Sequence, residues 1–170
     1  YHVCWGHNPG SDSKWNVDLG TLTMSGPQTV ASFECTLGWP CDIQLTGVGL
    51  ASTNKILLAT SCGSAATTQF ASLTATQQVT NSATDDAYAL GTETAGPRGD
   101  SLFKVCWGHE PQADAAKHKI DLGAFTMNGP VTAAQACTLG QACSVGVTGT
   151  GLAISNSLKL QDSGTCTGAY

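Results

Sequence analysis

Short stretches of alternating apolar and polar residues, each bounded by Gly, Pro, Asn or Asp, run along most of the chain. Such alternation predicts strands that bury one face, because successive side chains of a strand point to opposite sides. The predicted strands are 1–5, 15–24, 41–50, 54–60, 69–77, 87–95, 102–107 and 119–127. Helical periodicity is missing, and 111–119, which lacks an apolar face, is predicted as a loop. The pattern predicts an all-β protein, most simply a β-sandwich.

The pattern also repeats itself. "VCWGH" occurs at 3–7 and at 105–109, and "VDLGTLTMSGP" at 17–27 matches "IDLGAFTMNGP" at 120–130. "CTLGWPC" and "LTGVGLASTN" recur as "CTLGQAC" and "VTGTGLAISN" at an offset of 102 residues. Repetition on this scale indicates tandem copies of one structural unit. Residues 64–102 have no second copy.

Eight cysteines share the repeat: C-x30-C-x5-C-x20-C is followed by C-x30-C-x5-C-x22-C. An even number of cysteines at recurring spacings predicts a disulfide framework formed in an oxidising compartment. The two C-x5-C stretches predict the local bridges Cys35–Cys41 and Cys137–Cys143. Zinc is the alternative, since Cys4/His7 and Cys106/His109 each form Cys-x2-His, but C-x5-C is too long for a zinc knuckle.

Within "FKVCW", a strand places Phe103, Val105 and Trp107 on one face and Cys106 on the other. The apolar face predicts core positions, with Trp5 and Trp107 as equivalent core anchors. Cys106 then points away from that core, so its bridge would be to a neighbouring strand or loop.

Residues with catalytic or metal-binding potential do not combine into a site. His7 and His109 follow Gly at equivalent strand ends, and no second ligand repeats beside them, so they are weak metal candidates. Asp18 and Asp121 belong to different copies and are predicted to anchor strand edges. The G-x-G of "TGVGL" lacks the following helix of a dinucleotide fingerprint and predicts a bulge or turn. We expect a non-enzymatic protein without a cofactor.

Composition narrows the partners. Charged residues make up 11% of the chain and the net charge is −5, so no basic patch indicates nucleic acid or anionic lipid. No apolar run is long enough to span a bilayer. The chain has 22 Thr and 14 Ser, which favours O-linked glycans as surface solvation, whereas no Asn stands in an N-glycosylation sequon.

The spaced motifs "CTLGWPC", "LTGVGLASTN", "VCWGH" and "IDLGAFTMNGP" resemble the IPT/TIG-like immunoglobulin-type domains of tandem arrays on secreted and surface proteins of algae and other protists. The resemblance covers nearly the whole chain. It implies an immunoglobulin-like β-sandwich, an extracellular location and a binding or structural role, and it implies no catalytic residues.

Family phasing divides the chain differently from the literal repeat. It implies that 25–128 is one complete domain, that 1–24 are the last strands of a preceding domain and that 129–170 are the first strands of a following one. In that layout a Cys62–Cys106 bridge is natural and Cys4 and Cys166 are left over. The alternative division is 1–102 and 103–170, with Cys4–Cys62 and Cys106–Cys166 bridges.

Three organisations fit this phasing. The two terminal pieces could complete one another between copies, giving a head-to-tail filament with an intermolecular Cys4–Cys166 bridge. The chain could be part of a longer array, or its ends could fold together. We expect an extracellular structural subunit of a filament or surface coat, whose partners are other copies. The alternative is an adhesin or carbohydrate-binding module using exposed Trp15 or Trp39.

Overall fold

The computed structural model describes residues 1–67, 69–70, 77–78, 86–162 and 166. In this part of the chain the regular structure is almost entirely strand, with two single-turn 3₁₀ helices at Asp12–Lys14 and Ala115–Lys117. The all-β prediction is confirmed. The strands are β1 His2–Trp5, β2 Val17–Thr21, β3 Gly26–Pro27, β4 Ser32–Thr36, β5 Pro40–Gln44, β6 Gly47–Val48, β7 Lys55–Ala59, β8 Gln77–Gln78, β9 Ala87–Thr92, β10 Gly99–Gly108, β11 Ile120–Pro130 and β12 Gly149–Thr150.

One packed body, which we call the central unit, spans 25–130. Its main sheet has the order β11-β10-β7-β8, β4 pairs in parallel with β11, and β12 joins the end of β11 from outside the unit. The antiparallel pair β5–β9 forms a second layer, and β3 pairs with β6 at one end. The alternation of buried and exposed residues in β5 and β9 shows that this layer buries one face only.

The core lies between the two layers. β10, β11 and β7 of the main sheet contribute aromatic and large aliphatic side chains, while β5 and β9 supply residues from the other layer. The buried core residues are Cys35, Cys41, Ile43, Leu45, Ile56, Leu58, Phe70, Tyr88, Leu90, Phe103, Val105, Trp107, Leu122, Phe125 and Met127. Phe70 meets Phe103 and Phe125 edge-on, a geometry that aromatic pairs favour.

The opposite face of β10 carries a second, smaller cluster. Cys106 is fully buried there with Leu57 and Ala59, and Cys62, Ala66 and Ala115 pack against them. Cys106 therefore points away from the main core and is nevertheless shielded from water.

Two further pieces extend from the central unit. β1 and β2 form an antiparallel pair, which we call the N-terminal hairpin. Residues 131–162, which we call the C-terminal segment, contain only β12, and β12 pairs with the end of β11. Nearly all residues of both pieces are exposed.

Several predicted strands differ from those observed. The predicted strand 41–50 is divided into β5 and β6, and 15–24 is a strand only over β2. β4 was not predicted; it forms because β11 offers it a parallel edge. The prediction for 69–77 falls largely outside the described residues. Residues 102 and 103, the boundary of the alternative division, lie inside β10, which pairs with β7 and β11.

The described residues contain no helix that is long and apolar enough to cross a bilayer. Three disulfides join described residues, and disulfides persist in oxidising environments.

Candidate assembly surfaces

The N-terminal hairpin has the same internal structure as the β10–β11 hairpin of the central unit. Cys4 lies opposite Asp18 and Trp5 opposite Val17, as Cys106 lies opposite Asp121 and Trp107 opposite Ile120. In both hairpins the Asp carboxylate accepts a hydrogen bond from the Gly amide two residues on, at 2.8 Å and 3.1 Å. The repeated sequence thus folds the same way twice.

The surroundings of the two hairpins differ. Leu122 is 0% exposed and Trp107 7%, whereas their counterparts Leu19 and Trp5 are 62% and 48% exposed. Val3, Leu22 and Met24 are also exposed, although their counterparts Val105, Phe125 and Met127 lie in the core. The hairpin therefore presents to solvent the side chains that its copy buries.

Two equivalent glycines, Gly123 and Gly20, show how the backbone surroundings of the two hairpins differ. Gly123 has a positive φ, and a Cβ on it would overlap the carbonyl oxygen of Val30. The Val30 amide donates to the Leu122 carbonyl at 2.7 Å, so a neighbouring segment runs directly against this glycine. Gly20, the counterpart of Gly123, also has a positive φ, yet no described residue lies within 4 Å of a Cβ built on it. A glycine suited to close approach has no neighbour there.

The C-terminal segment reproduces the start of the central unit. Gly129 and Pro130 pair with Thr150 and Gly149, as Gly26 and Pro27 pair with Val48 and Gly47. The next backbone hydrogen bond is 2.7 Å in each copy, from Val131 to Thr148 and from Gln28 to Thr46. The Asn156 amide donates to the Ala153 carbonyl at 3.0 Å, and Asn54 donates to Ala51 at 2.9 Å.

This segment also exposes residues whose counterparts are in the core. Ile56 is 0% exposed and its counterpart Leu158 is 65% exposed; Val145, Val147 and Leu160 correspond to buried Ile43, Leu45 and Leu58. An open groove of about 470 Å³ results. This C-terminal groove is lined by Thr36, Leu37, Gly129, Pro130, Val145, Val147, Gly151, Leu152, Ala153, Asn156, Ser157 and Leu158.

The structure joins six of the eight cysteines. Disulfides link Cys35 to Cys41, Cys137 to Cys143 and Cys62 to Cys106. The alternative bridges Cys4–Cys62 and Cys106–Cys166 are therefore not formed, because Cys62 and Cys106 are bonded to each other. Cys4 and Cys166 are both free and exposed, and the bridge between copies stays a prediction.

Of the tryptophans, Trp107 lies in the core as predicted from its strand face, but Trp5 does not. Trp107 is covered by β7 and the β5–β9 layer, and the described residues contain no equivalent strands beside β1. Trp15 is about half exposed; its counterpart His118 in the other hairpin is fully buried. Trp39 is 60% exposed in the turn between the bonded Cys35 and Cys41.

The histidines at the repeated strand ends have different partners. The rings of His109 and Trp107 stack with their centroids 6.2 Å apart, and His109 Nδ1 lies 3.0 Å from the Oδ1 of Asn54. The ring centroids of His7 and Trp5 are also 6.2 Å apart, but the two rings are tilted against each other. Within the described residues no group of three His, Cys, Asp or Glu side chains could hold a metal ion. The contact with Asn54 orients the His109 ring, which favours a structural role for His109.

The sequence analysis did not identify the buried polar residues, among them Asn54 and His118. Asn54 is fully buried, and its recurrence as Asn156 was the signal that could have identified it. His118 is also fully buried, with Nδ1 3.2 Å from the Asp114 carbonyl oxygen. Burial lowers the pKa of His118, and the Lys55 ammonium lowers it further, while the hydrogen bonds to Asp114 and Ala115 oppose the shift.

The repeated aspartates act within their hairpins. Asp121 forms an ion pair with Lys104. In the N-terminal hairpin His2 stands at the position of Lys104, and its Nδ1 lies 3.4 Å from Asp18 Oδ2. All four side chains are exposed to solvent, so these contacts tie strand edges together and contribute little stability.

Comparisons with models of protein families, with curated proteins and with solved structures find no match to this chain.

Proposed function

We propose that the protein is a non-enzymatic extracellular structural module, a repeat that assembles with other copies of itself into a filament or surface coat. The observation that carries this proposal is the pair of exposed apolar surfaces on the N-terminal hairpin and the C-terminal groove. A contiguous apolar surface on a folded protein is typical of a protein-binding site. Both surfaces include large apolar residues whose counterparts in the same chain are buried, such as Leu19 on the hairpin and Leu158 in the groove.

The proposed fold is an immunoglobulin-like sandwich of the IPT/TIG type. The two-layered central unit, the bridge between Cys62 and Cys106 and the repeat motifs support it. Three disulfides and a surface rich in Thr and Ser support secretion, because structural disulfides require oxidising conditions.

O-linked glycans on Thr and Ser form part of this proposal. They would solvate a surface on which charged residues are scarce. Intact-mass and peptide mass spectrometry of protein from its native source test this point. Hexose-bearing Thr or Ser peptides support it, and unmodified peptides throughout contradict it.

Sedimentation velocity and negative-stain electron microscopy across micromolar concentrations test the assembly. We expect oligomers longer than dimers whose length grows with concentration, because every open oligomer leaves one hairpin free at one end and one groove free at the other. A chain that stays monomeric throughout that range contradicts the proposed function.

A second candidate is carbohydrate binding by the same module, favoured by the exposure of Trp39. A tryptophan face on a turn stiffened by a disulfide can stack against a sugar ring. Glycan-array binding that is lost in Trp39→Ala while assembly is kept would favour this function. Trp15 supports carbohydrate binding less. Its counterpart His118 is buried, so we expect assembly to cover Trp15 as well.

A further inference from the structure

We propose that the N-terminal hairpin of one copy seats in the C-terminal groove of a second copy, in the register that β10 and β11 adopt against β7 and β4. A disulfide between Cys4 and Cys166 of the two copies closes this contact. The inference rests on the proposed function, since it names the partner and the geometry of the same assembly.

The chain contains its own template for this contact. In the central unit, the core side of β10–β11 covers Ile43, Leu45 and Ile56, all of which are buried in one cluster with Trp107 and Leu122. The C-terminal groove presents Val145, Val147 and Leu158 at those positions, and the hairpin presents Trp5 and Leu19 at the positions of Trp107 and Leu122. A hydrophobic surface and its natural cover are therefore both exposed on one molecule.

The register follows from the strand pairs. β10 pairs antiparallel with β7, with Trp107 opposite Ile56 and Val105 opposite Leu58. The repeat converts these pairs into Trp5 opposite Leu158 and Val3 opposite Leu160 of the second copy.

β11 pairs in parallel with β4, with Met127 opposite Cys35 and Asn128 opposite Thr36. This becomes Met24 opposite Cys137 and Ser25 opposite Thr138 of the second copy. The docked partner would thereby extend β2, which ends at Thr21, to the full length of β11.

A second glycine supports the same neighbour. In the central unit the Leu37 amide donates to the Asn128 carbonyl at 2.9 Å, and the Leu37 side chain packs on Gly129. The corresponding Gly26 has no atom of the described residues within 4 Å of a Cβ built on it. Leu139, the counterpart of Leu37, is fully exposed. Docking places Leu139 of the second copy on Gly26.

Charge pairs the two ends with each other. In the central unit, apolar Leu57 and Ala115 belong to the small cluster around Cys106. Their counterparts are Lys159 in the C-terminal segment and Asp12 in the N-terminal 3₁₀ turn, which is placed like the turn that contains Ala115. The seated hairpin thus brings an acidic residue from one copy beside a basic residue from the other, where the central unit has two apolar residues.

The two free cysteines complete the match. Cys106 is bonded to Cys62, and Cys4 and Cys166 are their counterparts. A low-molecular-weight disulfide such as oxidised glutathione is the oxidant: the Cys4 thiolate attacks it and releases one glutathione thiolate. The Cys166 thiolate of the second copy then displaces the second glutathione thiolate, which forms the protein disulfide. Both thiol protons end on reduced glutathione.

End-blocked variants of the 170-residue chain test the contact. Leu19→Asp blocks the hairpin and Leu158→Asp blocks the groove, and both residues are exposed, so the central unit should fold in each. Each variant alone should be monomeric, with association weakened about 30-fold or more, as expected for a central apolar contact. An equimolar mixture should form 1:1 heterodimers by sedimentation velocity, because one hairpin and one groove remain intact.

Matched controls use residues that docking leaves exposed. Val17 is 43% exposed and its counterpart Ile120 in the complete unit is 46% exposed, so Val17→Asp should assemble like the original chain. Ile154 corresponds to exposed Ser52, so Ile154→Asp should behave likewise.

Charge exchange tests the register. Asp12→Lys and Lys159→Asp should each weaken assembly several-fold in low salt, and the double variant should restore it. Non-reducing peptide mapping of the mixed end-blocked variants in a glutathione buffer should give Cys4 of one joined to Cys166 of the other.

If the Leu19→Asp and Leu158→Asp variants each assemble as well as the original chain, the proposed contact is wrong and the proposed function still stands. A Cys4–Cys166 bond within one monomer would overturn the contact as well. A chain that never assembles would contradict both proposals.

Discussion

The two hairpins of this protein have closely similar sequences and the same internal register, but opposite environments. β10–β11 is covered by β4, β7 and the β5–β9 layer, and its apolar side chains form the core. In the part of the chain that the structure describes, no strand covers β1–β2, and every residue of its strands is exposed. Local sequence determines the shape of a hairpin, whereas burial depends on which other strands are within reach.

The same contrast applies to the two copies of "CTLG". Cys35 and Cys41 are buried in the core cluster, and Cys137 and Cys143 form the same local loop in solvent. A short disulfide loop forms from nearby residues, so it does not need the rest of the domain. The contrast yields four predictions about stability, measured in a Leu158→Asp background that keeps the chain monomeric.

The largest expected effect separates the two equivalent cysteines, Cys106 and Cys4. Replacing Cys62 and Cys106 by Ala should lower the free energy of unfolding by about 4 kcal/mol, the chain-entropy value for a loop closed over this separation of 44 residues. Cys4→Ala should leave it unchanged. Urea denaturation measures both; equal losses would mean that the hairpins share one folding unit.

The equivalent leucines come next. Leu122→Ala should destabilise the protein by about 3 kcal/mol, since it leaves a cavity in the core. Leu19→Ala should change stability by less than about 0.5 kcal/mol, as for an exposed site. The same denaturation measurement applies, and a substantial loss at Leu19 would show that the hairpin is packed in the monomer.

The glycines sharpen the comparison of backbone surroundings. Gly20→Ala and Gly123→Ala both place a side chain at positive φ, which costs about 1 kcal/mol. At Gly123 the new methyl group also meets the Val30 carbonyl, so we expect a further loss of about 2 kcal/mol. Thermal unfolding of the two variants should therefore differ, and equal melting temperatures would contradict the close approach of Val30.

The smallest expected effect is a pH dependence of stability. It is expected from the β10–β11 hairpin and not from the N-terminal hairpin, because the N-terminal hairpin has Trp15 at the position of His118. Burial lowers the pKa of His118, so the unfolded chain takes up a proton more readily. Stability from this residue is complete above the unfolded pKa of about 6.5 and falls as the pH drops below it, by at most about 1.4 kcal/mol per pH unit.

Urea midpoints measured between neutral and mildly acidic pH should show this slope, and His118→Gln should reduce it. The charged groups that act on His118 are Lys55 and Asp114, and the His118→Gln variant retains both of them. A slope that His118→Gln leaves intact would assign the pH dependence to other groups.

Prediction from sequence was best where contacts are local. The strand alternation and the C-x5-C loops depend on residues a few positions apart, and the structure shows strands and closed loops at most of those places. β4 escaped prediction because its partner β11 lies about 90 residues further along the chain and pairs with it in parallel. His118 and Asn54 escaped because polar residues in loops carry no periodic signal of burial.

The sequence by itself determined that the chain is all-β, that it is built from repeats and that its two C-x5-C stretches close local disulfide loops. Only the tertiary structure decided which copy of each motif is buried, since burial requires strands from distant parts of the chain to meet. Trp107 and Trp5 lie in the same five-residue motif, yet one fills a core and the other faces water. The reason is that the covering strands are within reach of one hairpin and not of the other.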